Sequence, residues 1–204
     1  MIVKKQLVKN QKVIFQGVNG RKYITIHETG NTKQGAGAKA HANLQTNGFS
    51  SSWHWQVDDQ IAIQSYPHTA QCWHAGDGRG TGNLQSIAIE ICVNEDSDYR
   101  KAVNHAITLT KRIMKEEGIS AERVVQHHHW SGKNCPSRLR GGKSGVNWSA
   151  FKQQLQTTEV MDALRFGSTG TAVKDLQKKL SELGYNLAVD GSFGPSTEKV
   201  IKFF

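Results

Sequence analysis

The 204-residue sequence contains only three cysteines, Cys72, Cys92 and Cys135, and they are widely separated along the chain. Three thiols cannot all pair within one chain, and this spacing is unlike that of a small disulfide-stapled domain. At least one of the three must be free or bound to another group. The sequence therefore excludes a scaffold that depends on a disulfide framework.

Long hydrophobic runs are also missing. The apolar stretch at residues 87–93 has Glu90 in its middle, whereas a membrane span needs about 20 apolar residues. Residues 1–15 alternate lysine with valine and isoleucine and contain no apolar block. We therefore expect neither a membrane span nor a secretory signal.

The composition that is present is that of a globular protein with an excess of positive charge. With 37% hydrophobic and 21% charged residues, it excludes collagen, a coiled coil and wholesale disorder. The 26 basic and 17 acidic side chains give a formal net charge of +9, and nearly all of the excess lies in residues 1–160. Such a charge favours a polyanionic partner: nucleic acid, an anionic membrane, or an anionic polymer such as a bacterial wall.

A change of pattern divides the chain in two. After Phe151 and Leu155, which end a helical pattern, the sequence becomes a polar connector. A new helical pattern begins behind the GSTG string at 167–170. We therefore predict a first domain at 1–158 and a second at 163–204.

Two segments of the first domain alternate in the way that strands do. In residues 23–27 the aliphatic side chains face one way and His27 faces the other. Residues 87–93 repeat this arrangement, with four aliphatic side chains on one face and Glu90 on the opposite one. Both predicted strands thus place a titratable group opposite their aliphatic side.

The remaining elements of the first domain follow from spacing and turn signals. Residues 53–57 and 61–64 predict a hairpin around an Asp-Asp turn, and residues 98–117 carry apolar side chains at helical spacing. A shorter helix is predicted at 36–46. We therefore expect an α/β fold with a central mixed β-sheet flanked by helices, plus a small all-α C-terminal module.

Three adjacent histidines, His127, His128 and His129, precede Cys135 in a glycine-containing loop. Such a loop can fold imidazole and thiolate ligands onto one metal ion, and zinc accepts both. No CxxC or HxxxH pair completes a four-ligand structural site, so a pair from this loop with one distant histidine suits an open, catalytic site. Spacing alone leaves an ordinary polar loop as the alternative.

Four ordered motifs carry a resemblance to a known family. They are YITIH at 23–27, WHAG at 73–76, Asn83 followed by SIAIE at 86–90, and QH at 126–127 through GKNCP at 132–136. Together they resemble the type 2 N-acetylmuramoyl-L-alanine amidases, a zinc-dependent family that includes phage lysozyme-like amidases and is related to peptidoglycan recognition proteins. The resemblance covers roughly residues 20–156.

The resemblance implies a ligand set for one Zn²⁺ per chain. In the family, a histidine that ends the first strand and a histidine and a cysteine that flank the last loop hold the metal, which here implies His27, His127 and Cys135. The family places its second histidine eight residues before the cysteine, and this count selects His127 over His128 and His129. The same comparison implies that Lys133 stabilises the oxyanion formed at the scissile carbonyl.

Glu90 is informative from its position alone, because an acid in an otherwise apolar strand is costly to bury unless it faces a cleft or a partner. The resemblance implies that Glu90 is the general base for a zinc-activated water, and a purely structural acid is the alternative. One branch of the family has a tyrosine where Trp53 stands, and Trp53 has no hydroxyl to assist. His74, Trp53 and Asn83 are predicted to bind substrate.

Residues 164–204 resemble the small three-helix peptidoglycan-binding domain that often accompanies wall hydrolases. A helix is predicted at 171–183, ended by Gly184, and the VDG and FG strings at 189–194 match the turn between helices. The pattern stops inside its second helix, so the module is expected to be incomplete.

The sequence therefore predicts a zinc amidase that cleaves the bond between N-acetylmuramic acid and L-alanine in peptidoglycan, either a phage or prophage-derived endolysin or a bacterial autolysin. Its expected partners are cell-wall peptidoglycan and anionic wall polymers, and it would reach the wall through a separate pore or on lysis. A non-catalytic recognition protein would not need Glu90, Lys133 and Cys135 together. Nucleic acid is not an expected partner, because no helix is dense in arginine and lysine.

Overall fold

The computed structural model describes residues 1–9, 13–142, 145–156 and 164–201. It divides into two compact units, Met1–Thr157 and Thr158–Phe204. Within the described residues, no helix has both the length and the apolar character needed to cross a bilayer.

A six-stranded mixed sheet forms the centre of the first unit. Its strands are β1 (Ile2–Lys5), β3 (Tyr23–Glu28), β4 (Trp55–Val57), β5 (Ile61–Gln64), β7 (Ser86–Ile91) and β8 (Val124–Gln126). Their order across the sheet is β1-β5-β4-β7-β3-β8. Neighbouring strands are parallel except for β4 and β5, which form the predicted antiparallel hairpin. A separate antiparallel pair joins β2 (Ile14–Phe15) to β6 (Gln71–Cys72).

Helices cover the sheet and fill its connections. They are α1 (Ala38–Thr46), α2 (Thr81–Gln85), α3 (Tyr99–Glu117), α4 (His128–Ser131), α5 (Ser137–Gly141) and α6 (Trp148–Gln156), with a 3₁₀ turn at Ala121–Arg123. The long helix α3 starts where the Asp98 side chain accepts a hydrogen bond from the Lys101 backbone N–H. It ends at Gly118, whose φ of 67° closes the helix in the left-handed conformation.

The core explains why β3 and β7 alternate. Their isoleucines are fully buried, and they form one cluster with the apolar faces of α3 and α6: Ile24, Ile26, Ile87, Ile89 and Ile91 on the strands, with Val103, Ile107, Ile113, Phe151 and Leu155 on the helices. Cys92, the residue directly after β7, packs in a separate cluster with Ala38 and Ala42 of α1. The predicted α/β class with a mixed sheet between helices is confirmed.

The register of the two central strands places the titratable residues side by side. In the parallel β3–β7 pair, His27 lies opposite Glu90, and both are the last but one residue of their strands. Open α/β sheets commonly bind ligands at the carboxyl ends of their strands. The fold therefore presents His27 and Glu90 where a site is expected.

Several predicted boundaries need correction. The hairpin strand begins at Trp55 rather than at residue 53, because the Trp53 backbone N–H is bound by the Gln45 side chain instead of a neighbouring strand. The strand predicted at 87–93 spans Ser86–Ile91, and the helix predicted at 36–46 starts at Ala38. Strands β1, β2, β6 and β8 were not predicted.

The second unit contains α7 (Thr171–Glu182) and α8 (Pro195–Ile201) among its described residues. Its small core buries Val173, Leu180, Leu187 and Phe193. The buried Gln177 amide binds Asp190, Thr197 and the backbone of Gly191 and Ser192, so one side chain ties α7 to the turn that follows it.

Candidate functional site

A cavity of about 400 Å³ opens at the carboxyl ends of β3 and β7. Strand residues and loop residues converge on it, among them His27, His74, Glu90, His127, Lys133 and Cys135. The sheet positions His27 and Glu90. The segment after β6 supplies His74, and the segment after β8 supplies His127, Lys133 and Cys135. The structure thus brings together the residues that the sequence proposed for metal binding and catalysis.

Two imidazoles and a thiol form a compact cluster inside this cavity. The ligand atoms of His27, His127 and Cys135 all lie within 4.8 Å of one another, and the side chains are buried. The Nδ1 atoms of His27 and His127 are 3.0 Å apart. His128 and His129 instead line a different depression, so the structure favours His127 among the three adjacent histidines.

Burial sets the protonation of this cluster. It lowers the pKa of His27 well below the usual value, with a further lowering by the nearby His74, and it lowers the pKa of His127 to about 4. Burial and the proximity of Glu90 raise the pKa of the Cys135 thiol to about 12. At neutral pH both imidazoles are therefore neutral and carry a free lone pair, which a metal ion requires of a histidine.

The donor set fits zinc. Two nitrogen ligands at about 2.0–2.1 Å from a tetrahedral zinc ion lie about 3.3 Å apart, close to the separation of the two Nδ1 atoms. Two imidazoles and one thiol leave a fourth tetrahedral position for water or substrate, as in catalytic rather than structural zinc sites. The residues present are thus suited to an open zinc site.

The carboxylate of Glu90 faces the same cavity. Its Oε1 lies 3.8 Å from His27 Nδ1, and its Oε2 is buried without a hydrogen-bond partner among the described residues. Burial raises the pKa of Glu90 to about 8, although nearby Lys133 acts in the opposite direction. A structural acid normally has its oxygens satisfied, so this geometry favours a functional role for Glu90.

The predicted substrate-binding residues differ in where they lie. His74 and Trp53 line the cavity, but Trp53 is only 5% exposed and its indole N–H donates to Gln56. Asn83 is fully buried and does not line the cavity. Its Oδ1 accepts the backbone N–H groups of His74 and Ala75, so the prediction that Asn83 binds substrate is replaced by a role in shaping this loop.

Sequence reasoning gave no role to two residues of this region. Trp73 is 45% exposed at the cavity, and its ring stacks on Phe15 with centroids 4.8 Å apart, so a rigid aromatic surface adjoins the cluster. Glu28 follows His27 directly and binds the segment after Cys135. Trp73 stood within a recognised motif, whereas no local pattern pointed to Glu28.

Comparisons with known proteins agree with this site. The family model described as N-acetylmuramoyl-L-alanine amidase matches residues 18–138, and a peptidoglycan binding domain matches residues 169–204. The N-acetylmuramoyl-L-alanine amidase CwlH of Bacillus subtilis (strain 168) is 38% identical over 206 residues, which cover 89% of this chain and 80% of that protein.

A second relative, the N-acetylmuramoyl-L-alanine amidase XlyA of Bacillus subtilis (strain 168), is 47% identical over 131 residues, or 64% of this chain and 42% of that protein. The structure of the catalytic domain of XlyA superposes with a TM-score of 0.71 at 40% identity, covering 76% of this chain and 99% of that one. Fold, site and relatives together define a peptidoglycan hydrolase. The chain belongs to the N-acetylmuramoyl-L-alanine amidase family, as its sequence predicted.

Proposed function

We propose that the chain hydrolyses the amide between the lactyl group of N-acetylmuramic acid and L-alanine of the peptidoglycan stem, with one zinc ion held by His27, His127 and Cys135. The observation that carries the proposal is the convergence of two neutral imidazoles and a thiol beside a buried Glu90 oxygen that has no hydrogen-bond partner in the described part of the chain. Family membership supplies the reaction class.

Zinc in this position would contribute Lewis acidity, which polarises a carbonyl and lowers the pKa of a water molecule toward about 7. His27 and His127 are already in the neutral form that ligation requires, because burial keeps their pKa values low. Cys135 must give up its proton on binding. Metal uptake therefore releases a proton and weakens as the pH falls.

Glu90 is proposed as the general base that takes a proton from the attacking water and later delivers it to the leaving amine. A base works best when its pKa lies near the working pH, and burial already moves the Glu90 pKa upward to about 8. A nearby dication would draw this pKa down again. The two opposing influences leave a carboxylate that can both accept and return a proton.

Lys133 is proposed to stabilise the oxyanion that develops on the scissile carbonyl. Its side chain is exposed at the cavity, and its charge acts on the pKa values of both Glu90 and His127. A cation near the developing charge lowers the barrier more than it stabilises the neutral substrate. The exposed face of Trp73 offers an apolar surface for the substrate next to this group.

The second unit and the charge of the first are proposed to hold the enzyme on the wall. Residues 169–204 match a peptidoglycan binding domain, and the net charge of +9 of the whole chain, nearly all of it in residues 1–160, suits anionic wall polymers. Attraction of this kind acts over a Debye length of about 8 Å at physiological ionic strength. Wall association should therefore weaken as salt is added.

Digestion of purified cell wall tests the reaction class directly. The proposed cleavage exposes new N-terminal L-alanine and creates no reducing sugar ends, so both products should be measured in one digest. The Cys135→Ser variant serves as the matched control, because it should keep the fold but lacks the thiol ligand. New reducing ends from the wild-type chain would identify a glycosidase, and wall binding without either product would identify a recognition protein.

A further inference from the structure

Glu28, the last residue of β3, binds two separate parts of the molecule with one carboxylate. Its Oε1 accepts hydrogen bonds from the Tyr99 hydroxyl at 2.5 Å and the Leu139 backbone N–H at 3.1 Å. Its Oε2 accepts the Arg138 backbone N–H at 2.9 Å and the Ser137 hydroxyl at 3.1 Å. Three of these four donors belong to the segment that follows Cys135.

The main chain of the same residue contacts the thiol itself. The Glu28 backbone N–H points at Cys135 Sγ over 3.4 Å. Glu28 therefore touches the proposed sulfur ligand through its backbone and holds residues 137–139 through its side chain. It is also the residue next to His27, so one short stretch of β3 links two of the three proposed ligands.

Apart from Glu28, the Cys135 segment is held by the Cys135 carbonyl, which accepts the His128 backbone N–H, by Asn134, which accepts from Arg140, and by Leu139, which is buried in the core. Gly132, Lys133 and Asn134 are exposed, and burial begins only at Cys135. A metal site needs its ligands held within about 0.5 Å of the right place, which exposed loop residues do not achieve by packing. The Glu28 bonds add a direct restraint from a central strand of the sheet to these contacts.

We propose that Glu28 is a positioning residue that presets Cys135 for the metal by clamping the following segment onto the end of β3. The inference rests on the proposed function, in which His27, His127 and Cys135 hold zinc. Groups that orient metal ligands are typically worth about 10- to 100-fold in metal affinity. Loss of the clamp should therefore weaken metal binding in a protein that remains folded.

A carboxylate is required because all four of its partners donate. Glutamine has nearly the same shape, but its amide nitrogen carries hydrogens and cannot accept from Arg138 or Leu139. Glu28→Gln thus replaces at least one of these hydrogen bonds by a donor–donor contact, while the side chain still fills the same volume. This makes it a sharper probe than truncation.

The test uses the full chain with Co²⁺ as the metal, because a thiolate bound to cobalt gives a charge-transfer absorption that reports on Cys135. Affinity for Co²⁺ and for Zn²⁺ is measured by competition with a chelator, and folding is checked by circular dichroism. We expect Glu28→Gln to lower both affinities by about 10- to 100-fold and to weaken the thiolate band.

Two hydroxyl deletions form a matched pair. Ser137→Ala removes one Glu28 bond to the start of α5, and Tyr99→Phe removes one Glu28 bond to α3. Ser137→Ala should lower metal affinity severalfold, whereas Tyr99→Phe should leave it within about twofold of wild type. The comparison remains informative even if Glu28→Gln does not fold.

The outcomes are distinguishable. The positioning role would be overturned if folded Glu28→Gln kept the wild-type metal affinity and an unchanged thiolate band. Equal effects of Ser137→Ala and Tyr99→Phe on metal affinity would overturn it as well. If Glu28 had a purely structural role, Glu28→Gln would lower the melting temperature and leave the metal affinity of the folded protein unchanged. Absence of metal binding in the wild-type chain would instead contradict the proposed function, independently of Glu28.

Discussion

His74 Nδ1 lies 3.0 Å from His27 Nε2, and the two rings cross at 85°. His27 turns its other nitrogen, Nδ1, toward His127, so a metal bound there would require the His27 proton to sit on Nε2. Among the described residues, His74 Nδ1 is the acceptor within reach of that proton. His74 is therefore placed to set the tautomer of His27, and its contact with substrate stays a prediction.

His74→Ala should bind zinc about 10- to 100-fold more weakly, because His27 loses the acceptor that orients its ring. Chelator competition on the folded variant measures this change. His105→Ala is the control, since His105 bonds to the Asp58 carbonyl and does not line the cavity. Unchanged zinc affinity with a raised KM would instead support the predicted contact of His74 with substrate.

Glu90→Gln should keep the fold and the zinc but lose turnover by a factor of about 100 to 10,000, the usual contribution of a positioned general base. Metal content and specific activity must be measured on the same folded sample. Glu95→Gln, at an exposed acid near the end of the same segment, should leave turnover unchanged. Near-normal activity of Glu90→Gln would return Glu90 to a structural role.

The three cysteines should respond differently to replacement by serine. Cys135→Ser should reduce the zinc content, because it removes the sulfur of the cluster. Cys72→Ser and Cys92→Ser should keep full zinc content, since both thiols are fully buried in separate apolar clusters. Elemental analysis of the three folded variants measures the difference, and equal loss in all three would show the ligand assignment to be wrong.

The free energy of unfolding should decrease as the pH decreases, because His54 is buried in its neutral form. Its ring accepts the Ala88 backbone N–H and donates to the Ala70 carbonyl, and burial lowers its pKa to about 3. Between about pH 6.5 and pH 3, His54 is therefore protonated in the unfolded chain and neutral in the folded chain. His54 contributes full stability above about pH 6.5, and this contribution is lost as the pH falls from there toward 3.

Denaturant unfolding between pH 7 and pH 4.5 tests this effect. The wild-type free energy of unfolding should fall by up to about 1.4 kcal/mol per pH unit on account of His54 alone. His54→Gln, which offers an acceptor and a donor but does not titrate, should show a shallower slope by that amount. Identical slopes in the two proteins would contradict the assignment.

Deletion of residues 161–204 should leave the turnover of a small soluble muropeptide roughly unchanged and reduce binding to intact wall. This segment contains no histidine or cysteine and cannot contribute to the proposed metal cluster. Turnover on the soluble substrate and sedimentation with purified wall measure the two effects separately. Abolished turnover in a folded first unit would contradict the division of labour between the units.

The alternating strands were predictable because their two faces differ chemically. In β3 and β7, buried isoleucines alternate with His27 and Glu90, and this contrast is visible in the sequence itself. Strand β1 carries no such contrast, because all four of its residues are exposed at the edge of the sheet. Strand β8 has only three residues, too few to show a period.

The proposed ligands were predictable through a motif, but their supports were not. Glu28 finds its partners 71 to 111 residues away along the chain, and His74 finds His27 at a separation of 47 residues. No local periodicity encodes such contacts. The burial of Asn83 likewise depends on how the loop folds and is not visible in the sequence. For this reason the motif alone predicted a substrate contact for Asn83.

The pairing of His27 with Glu90 across β3 and β7 has a consequence for engineering. Backbone hydrogen bonds of a parallel pair set this spacing, so it does not depend on the loops that rim the cavity. The loop that carries Trp73 could therefore change without altering the register of His27 and Glu90. A one-residue slip between the two strands, by contrast, would separate acid from ligand and could not be repaired by any loop design.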